Sequence, residues 1–193
     1  MYSAFVATAA LATADAADVV RRTAGYTGGS YSPPAIPGYT MEWKPLPTSI
    51  DGLLEIRLTA ATTGWVGFGL AEYGAGGMPG SDFVVCQNNA ATDYHGFTYG
   101  TPTPDASQDW ALVSFDTTAG TTVCELTRLL NTRDPQDRPI DLTRFALGDA
   151  PVLFAHGAND DASFGYHGAA VTTATLNLVN PTNATAEVLA LPE

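Results

Sequence analysis

The sequence predicts an all-β fold, an antiparallel, immunoglobulin-like β-sandwich of about nine to eleven strands, on three observations. From Tyr39 onward, short runs rich in β-branched and aromatic residues recur, among them YTMEWK, LLEIRLTA, GWVGFGLA, SDFVVCQ, DWALVSFD, TTVCELTR, APVLFAHG and VTTATLNLVN. Gly, Pro, Asn and Asp separate them at the roughly 8–12-residue spacing of a sandwich or barrel. Several runs alternate: in LLEIRLTA, Leu54, Ile56 and Leu58 share one face and Glu55 and Arg57 the other, the period of a half-buried strand.

The elements follow in chain order. Residues 1–18 (MYSAFVATAALATADAAD) pair a short apolar segment with small residues and A-x-A patterns, which reads as a signal peptide or an ordered leader, although no Lys or Arg precedes the apolar run. Residues 19–38, with TAGYTGGSYSPPAIPG, read as an extended arm without regular structure, suited to lie across a neighbouring surface. The sandwich is expected over 39–180 and a tail over 181–193. CELTRLLNTRDPQD has a helical composition, but its TTV start and its Asp-Pro end favour a strand running into a turn. A chain of 193 residues suits one domain.

Charge and motif content exclude several functions. Twenty acidic residues against eight basic ones give a net charge of -12, so no basic stripe exists for a nucleic-acid backbone. No 18-residue apolar run is present to span a membrane as a helix. There is no G-x-S-x-G, H-E-x-x-H, C-x-x-C, P-loop or dinucleotide fingerprint, and His95, His156 and His167 have no evident nucleophile partner. An enzyme acting through this stretch alone is not expected. Asp160-Asp161, Asp134 with Asp137, and Asp82 read as solvated charges of an acidic chain, and calcium is not expected. Cys86 and Cys124 sit in strand-like runs; they are either two buried thiols or a bridge worth roughly 4 kcal/mol. Asn183-Ala184-Thr185 is a glycosylation sequon. Low lysine content and abundant Gly, Thr, Ala and Pro suit a secreted or lumenal protein.

Chemistry concentrates in GWVGFGLAEYGAGGMPGSDFVV, where glycines interrupt two strands around a single methionine. Met78 is either a plug between sheets or a ligand, and the histidines are either core residues or ligands. A thioether and an imidazole are a ligand pair for haem iron, since the porphyrin supplies the other four positions.

That run resembles the signature of DOMON domains, the β-sandwich modules found beside dopamine β-monooxygenase-type copper domains and cytochrome b561 partners, and as the haem domain of cellobiose dehydrogenase. The G-W-x-G-F-G strand, the G-M-x-G-S-D loop and the apolar strand after it are all present in order. DYHGFTYG, the segment carrying Arg128, Leu130, Thr132, Asp134 and Asp137, and the closing GYHG are similar to the monooxygenase-associated branch, so the resemblance spans about Tyr39 to Val179. It implies Met78 and His167 as axial ligands of haem b, with His156 as the alternative second ligand and Trp65, Phe68, Phe83 and Phe154 as pocket walls. Three functions remain open: a non-catalytic module binding a carbohydrate, a small hydrophobic ligand or a protein partner; a haem b electron-transfer domain; and an accessory domain of a larger copper monooxygenase. No copper-binding catalytic module is recognised in this stretch, so the resemblance carries no hydroxylase activity here.

Overall fold

The computed structural model of the chain describes residues 28–46, 52–72, 77–140, 150–158 and 165–179. The expected leader, the sequon at Asn183, Asp160-Asp161 and the C-terminal tail lie outside them. No described residue is helical. The described residues form eleven strands: β1 (Gly29–Tyr31), β2 (Thr40–Leu46), β3 (Leu53–Ala60), β4 (Val66–Leu70), β5 (Asp82–Gln87), β6 (Ala90–His95), β7 (Thr103–Pro104), β8 (Ala111–Thr118), β9 (Thr121–Leu129), β10 (Ala150–His156) and β11 (Val171–Leu176). They make two antiparallel sheets, one ordered β1-β2-β3-β9-β8 and the other β11-β10-β4-β5-β6-β7.

Alternation builds the space between the sheets. Leu54, Ile56, Leu58 and Ala60 of β3 point inward, as do Met41 and Trp43 of β2 and Cys124 and Leu126 of β9. From the other sheet come Val66, Phe68, Leu70, Val84, Val152 and Phe154. Phe68 and Phe154 are cross-strand partners with ring centroids 5.9 Å apart, and Phe154 also meets Tyr31 at 5.6 Å and Tyr39 at 5.4 Å. Cys86 and Cys124 are joined, which settles the choice left by the sequence and ties β5 to β9 across the two sheets. TTVCELTR is strand β9, and the residues after it run without helix to Ile140.

The arm departs from its expectation at one place. Residues 29–31 pair with β2 as an edge strand, with Gly29 opposite Trp43, and Ile36 is buried in the core. A side chain at Gly29 would run into the Trp43 ring, so glycine is what lets this strand close over the tryptophan. Asn88 and Asn89 take φ of 50° and 59° in the two-residue turn between β5 and β6, the left-handed pair that such a hairpin demands.

Candidate functional site

β4 and β5 do not alternate in burial: all five residues of β4 are buried, as are the first five of β5. A strand buried on both faces needs a cover on its outer side as well as the core within. Cross-strand register shows what lies on that outer side. Leu153, Gly69, Phe83 and Tyr94 form one row across β10, β4, β5 and β6, and Ala155, Gly67 and Val85 form the row beside it. Glycine at the middle of each row leaves a trough between larger neighbours. A Cβ on Gly69 would stand 3.1 Å from Phe83 and 3.2 Å from Leu153, and one on Gly67 would stand 3.3 Å from Trp65.

Two segments overhang the trough. Met78 comes from the loop before β5, and His167 from the turn before β11. Met78, His167, Trp65, Leu153 and Val171 line a cleft of about 460 Å³, whose inner recess of about 70 Å³ is walled by Phe83, Val85, Gly67 and Gly69 with hardly any polar surface. A cleft of that size and apolar character suits a small organic ligand. Tyr99 and Tyr166, 77% and 84% exposed, stand at its mouth.

The loop carrying Met78 is closed by its own hydrogen bonds. Ser81 N donates to Met78 O at 3.0 Å, Gly96 N donates to Ser81 O at 2.9 Å, Gly80 N donates to Gly96 O at 2.6 Å, and Ser81 Oγ bonds Gly77 O. Gly80 takes φ of 74°, a conformation that suits glycine. His167 sits at the start of a turn in which Ala170 N donates to its carbonyl at 3.0 Å. Its Nδ1 lies 2.8 Å from Gly168 O. A carbonyl can only accept, so Nδ1–H is the donor in this contact, and Nε2 is the ring nitrogen it leaves for a ligand.

The structure therefore brings Met78, His167, Trp65 and Phe83 together as the sequence proposed. It moves two of the expected walls. The Phe68 and Phe154 side chains face the opposite way, into the core between the sheets, because they alternate with Gly67, Gly69, Leu153 and Ala155; Phe154 does not line the cleft, and Phe68 borders only its recess. The alternative ligand His156 shares the inward parity of Phe154, stacks 6.5 Å from the Tyr39 ring and lines neither part of the cleft; burial lowers its pKa. His95 Nδ1 is 3.0 Å from Gln136 O. Gly67, Gly69, Leu153 and the two tyrosines went unnoticed in the sequence, although the G-x-G spacing around Phe68 already separates the two faces.

A second feature corrects the expectation of solvated acids. Arg128 projects inward from β9 and is 1% exposed. Its Nη2 stands 2.9 Å from both Asp82 Oδ2 and Asp137 Oδ2, and its guanidinium lies 5.4 Å over the Trp110 ring. Asp93 completes a buried group of three carboxylates with oxygens within 4.8 Å of one another. The turn over 131–137 delivers Asp137: Asp134 N donates to Thr132 Oγ1 and Gln136 N to Asp134 Oδ1. One arginine cannot balance three acids. Burial raises the Asp93 pKa to about 8, with the charges of Asp82 and Asp137 adding to it, and burial raises Asp82 to about 6 against the opposing pull of Arg128. Arg138 joins this cluster to the methionine loop: its backbone N donates to Asp82 Oδ2 at 2.9 Å and its Nε to Gly80 O at 2.7 Å.

What the fold and the cleft define is a β-sandwich module with an apolar cleft on the outside of one sheet. Residues 37–145 match the DOMON domain family, and the chain belongs to it. DBH-like monooxygenase protein 1 of Gallus gallus is 32% identical over 137 residues, which are 68% of this chain and 21% of that protein. The chain thus spans about a fifth of that relative's length. The fold is also similar to the cytochrome b domain of pyranose dehydrogenase from Coprinopsis cinerea, with TM-score 0.56 at 12% identity over 74% of this chain and 80% of that one. The cytochrome domain of Myriococcum thermophilum cellobiose dehydrogenase matches with TM-score 0.56 at 12% identity, over 83% of this chain and 91% of that one.

Proposed function

We propose that the chain is a non-catalytic module that binds haem b in the outer-face cleft, where Met78 and His167 would hold its iron. The observation that carries this reading is the pairing of a thioether and an imidazole with a free Nε2 on one apolar cleft. The donor set suits the group: the Nδ1 edge of His167 is engaged by Gly168 O and its Nε2 is left for a ligand, and Met78 is a soft donor in a loop closed by backbone bonds. The glycine trough supports it too, since Cβ atoms at Gly67 and Gly69 would crowd the surface on which a flat macrocycle must lie. Bound haem b supplies one-electron transfer, and a methionine ligand raises its potential relative to two histidines. The chain's own work is to hold both ligands and to exclude water with Phe83, Leu153, Trp65 and Val171. A secreted or lumenal location, as one part of a larger protein, belongs to the same reading and is supported by the disulfide, since such bonds persist in oxidising compartments.

Haemin titration tests this. The reduced protein should show a sharp Soret band with resolved low-spin α and β bands, lost in Met78→Ala and in His167→Ala and kept in His156→Ala. A wild-type protein without those bands would remove the haem reading. A second reading then stands on the exposed Tyr99 and Tyr166: two aromatic faces at the mouth of an apolar cleft suit stacking on a sugar or a small hydrophobic ligand. Glycan binding that is lost in Tyr99→Ala and Tyr166→Ala, without a haem spectrum, would select it.

A further inference from the structure

The two ends of the cleft are held by different means. The Met78 loop closes on itself and on Gly96 through four hydrogen bonds, three of them between backbone groups. The segment that carries His167 is held behind the histidine by the turn bond from Ala170 N and by His156 N of β10, which donates to Ala170 O at 3.1 Å; ahead of the histidine it is tied to the sheet by the indole of Trp65. That residue bonds both ends of the connection that leads to His167. Gly157 N donates to Trp65 O at 3.0 Å, and Trp65 Nε1–H donates to Gly165 O at 3.1 Å. Gly157 lies so close to the ring that any side chain there would run into the indole, and Trp65 is 3% exposed. A rigid ring seated on a glycine with one directed donor fixes a carbonyl two residues before His167. Position and direction are then inherited through the short link 165–167 and the turn that follows.

We infer that Trp65 is the positioning residue for His167, setting where the imidazole stands over the cleft, in addition to forming part of its wall. Phenylalanine keeps most of the ring and loses the N–H, so Trp65→Phe separates the two roles. An uncharged hydrogen bond is worth about 1 kcal/mol, about fivefold in an opening equilibrium. In the ligand-free protein, hydrogen exchange of the Ala170 amide, which is bonded to His167 O, should quicken about fivefold. The Gly96 amide on the methionine side and the slowest core amides should not change. Gly157→Ala, which pushes the indole off its seat while keeping the tryptophan, should reproduce the effect and serves where Trp65→Phe does not fold.

The optical arm rests on the proposed haem binding, and the exchange arm does not. With haem bound, Trp65→Phe should shift part of the low-spin population to high-spin, and added imidazole should restore it, because the missing ligand is on the histidine side and the cleft itself is intact. An unchanged Ala170 exchange rate in a folded Trp65→Phe protein overturns the positioning role. A wild-type protein that takes up no haem removes the haem reading alone, and the exchange result still decides the part played by Trp65.

Discussion

The two faces of the six-stranded sheet are made by the same strands and built on opposite rules. On the inner face Phe68, Val84, Val152 and Phe154 fill space to interior density against the other sheet. On the outer face the same strands present Gly67 and Gly69 between Phe83 and Leu153, a row in which space is kept open and then roofed by two loops. Neighbours in sequence therefore differ in kind: Phe154 is a stability residue and Leu153 a cleft residue. Packing is unforgiving where there is no room to relax, whereas a trough tolerates change in everything except what it holds.

That contrast can be broken from either side. Removing the covalent tie between the sheets with Cys86→Ser and Cys124→Ser together should destabilise the fold by about 4 kcal/mol, read by urea unfolding, because a closed loop of separation 38 no longer restricts the unfolded chain. Phe154→Ala should cost about 3 kcal/mol in the same assay and leave the ligand spectrum of the surviving folded protein unchanged; an altered spectrum would place that ring in the cleft after all.

The buried acids give a smaller, pH-dependent effect. Asp82 and Asp93 hold protons in the folded state, to about pH 6 and about pH 8, that the unfolded chain releases near 4. Their contribution is thus fully present below about pH 4 and is lost as pH rises through those values. Thermal stability should fall by about 1–3 kcal/mol between pH 6 and 9. Asp93→Asn, which is neutral throughout, should flatten that decline; an equally steep profile would show that the cluster does not hold the proton. The smallest effect on stability belongs to the outer face. Gly69→Ala should change folding by no more than about 1 kcal/mol while weakening haem uptake, the reverse of the Phe154→Ala pattern.

Much of this was readable before any coordinates. Runs with one polar face, such as LLEIRLTA, state their own orientation, and β3 buries Leu54, Ile56 and Leu58 as the alternation requires. The strand-loop-strand around Met78 and the distant His167 were also legible, because motifs carry over where contacts do not. Orientation was lost in VGFGL and APVLFAH, where nearly every residue is apolar or glycine and hydrophobicity alone cannot say which face looks inward. Phe154 was taken for a wall for that reason, and Phe68, whose ring packs in the core, borders only the recess. The acid cluster was hidden for another: Asp82, Asp93, Arg128 and Asp137 come from three strands and a loop, so their mutual neutralisation exists only in the fold.

The bond between Cys86 and Cys124 has a mechanical meaning as well. A pull applied to the two ends of the chain travels through the sulfurs and bypasses the residues between them, which include β6, β7, β8 and the Gly96 contact that closes the methionine loop. At about 3.4 Å per extended residue, a separation of 38 withholds roughly 130 Å of contour length from any stretching of the oxidised protein. Single-molecule extension with and without reductant would measure that hidden length directly. A module strung between other domains would keep Gly96, the partner of its methionine loop, out of the line of tension.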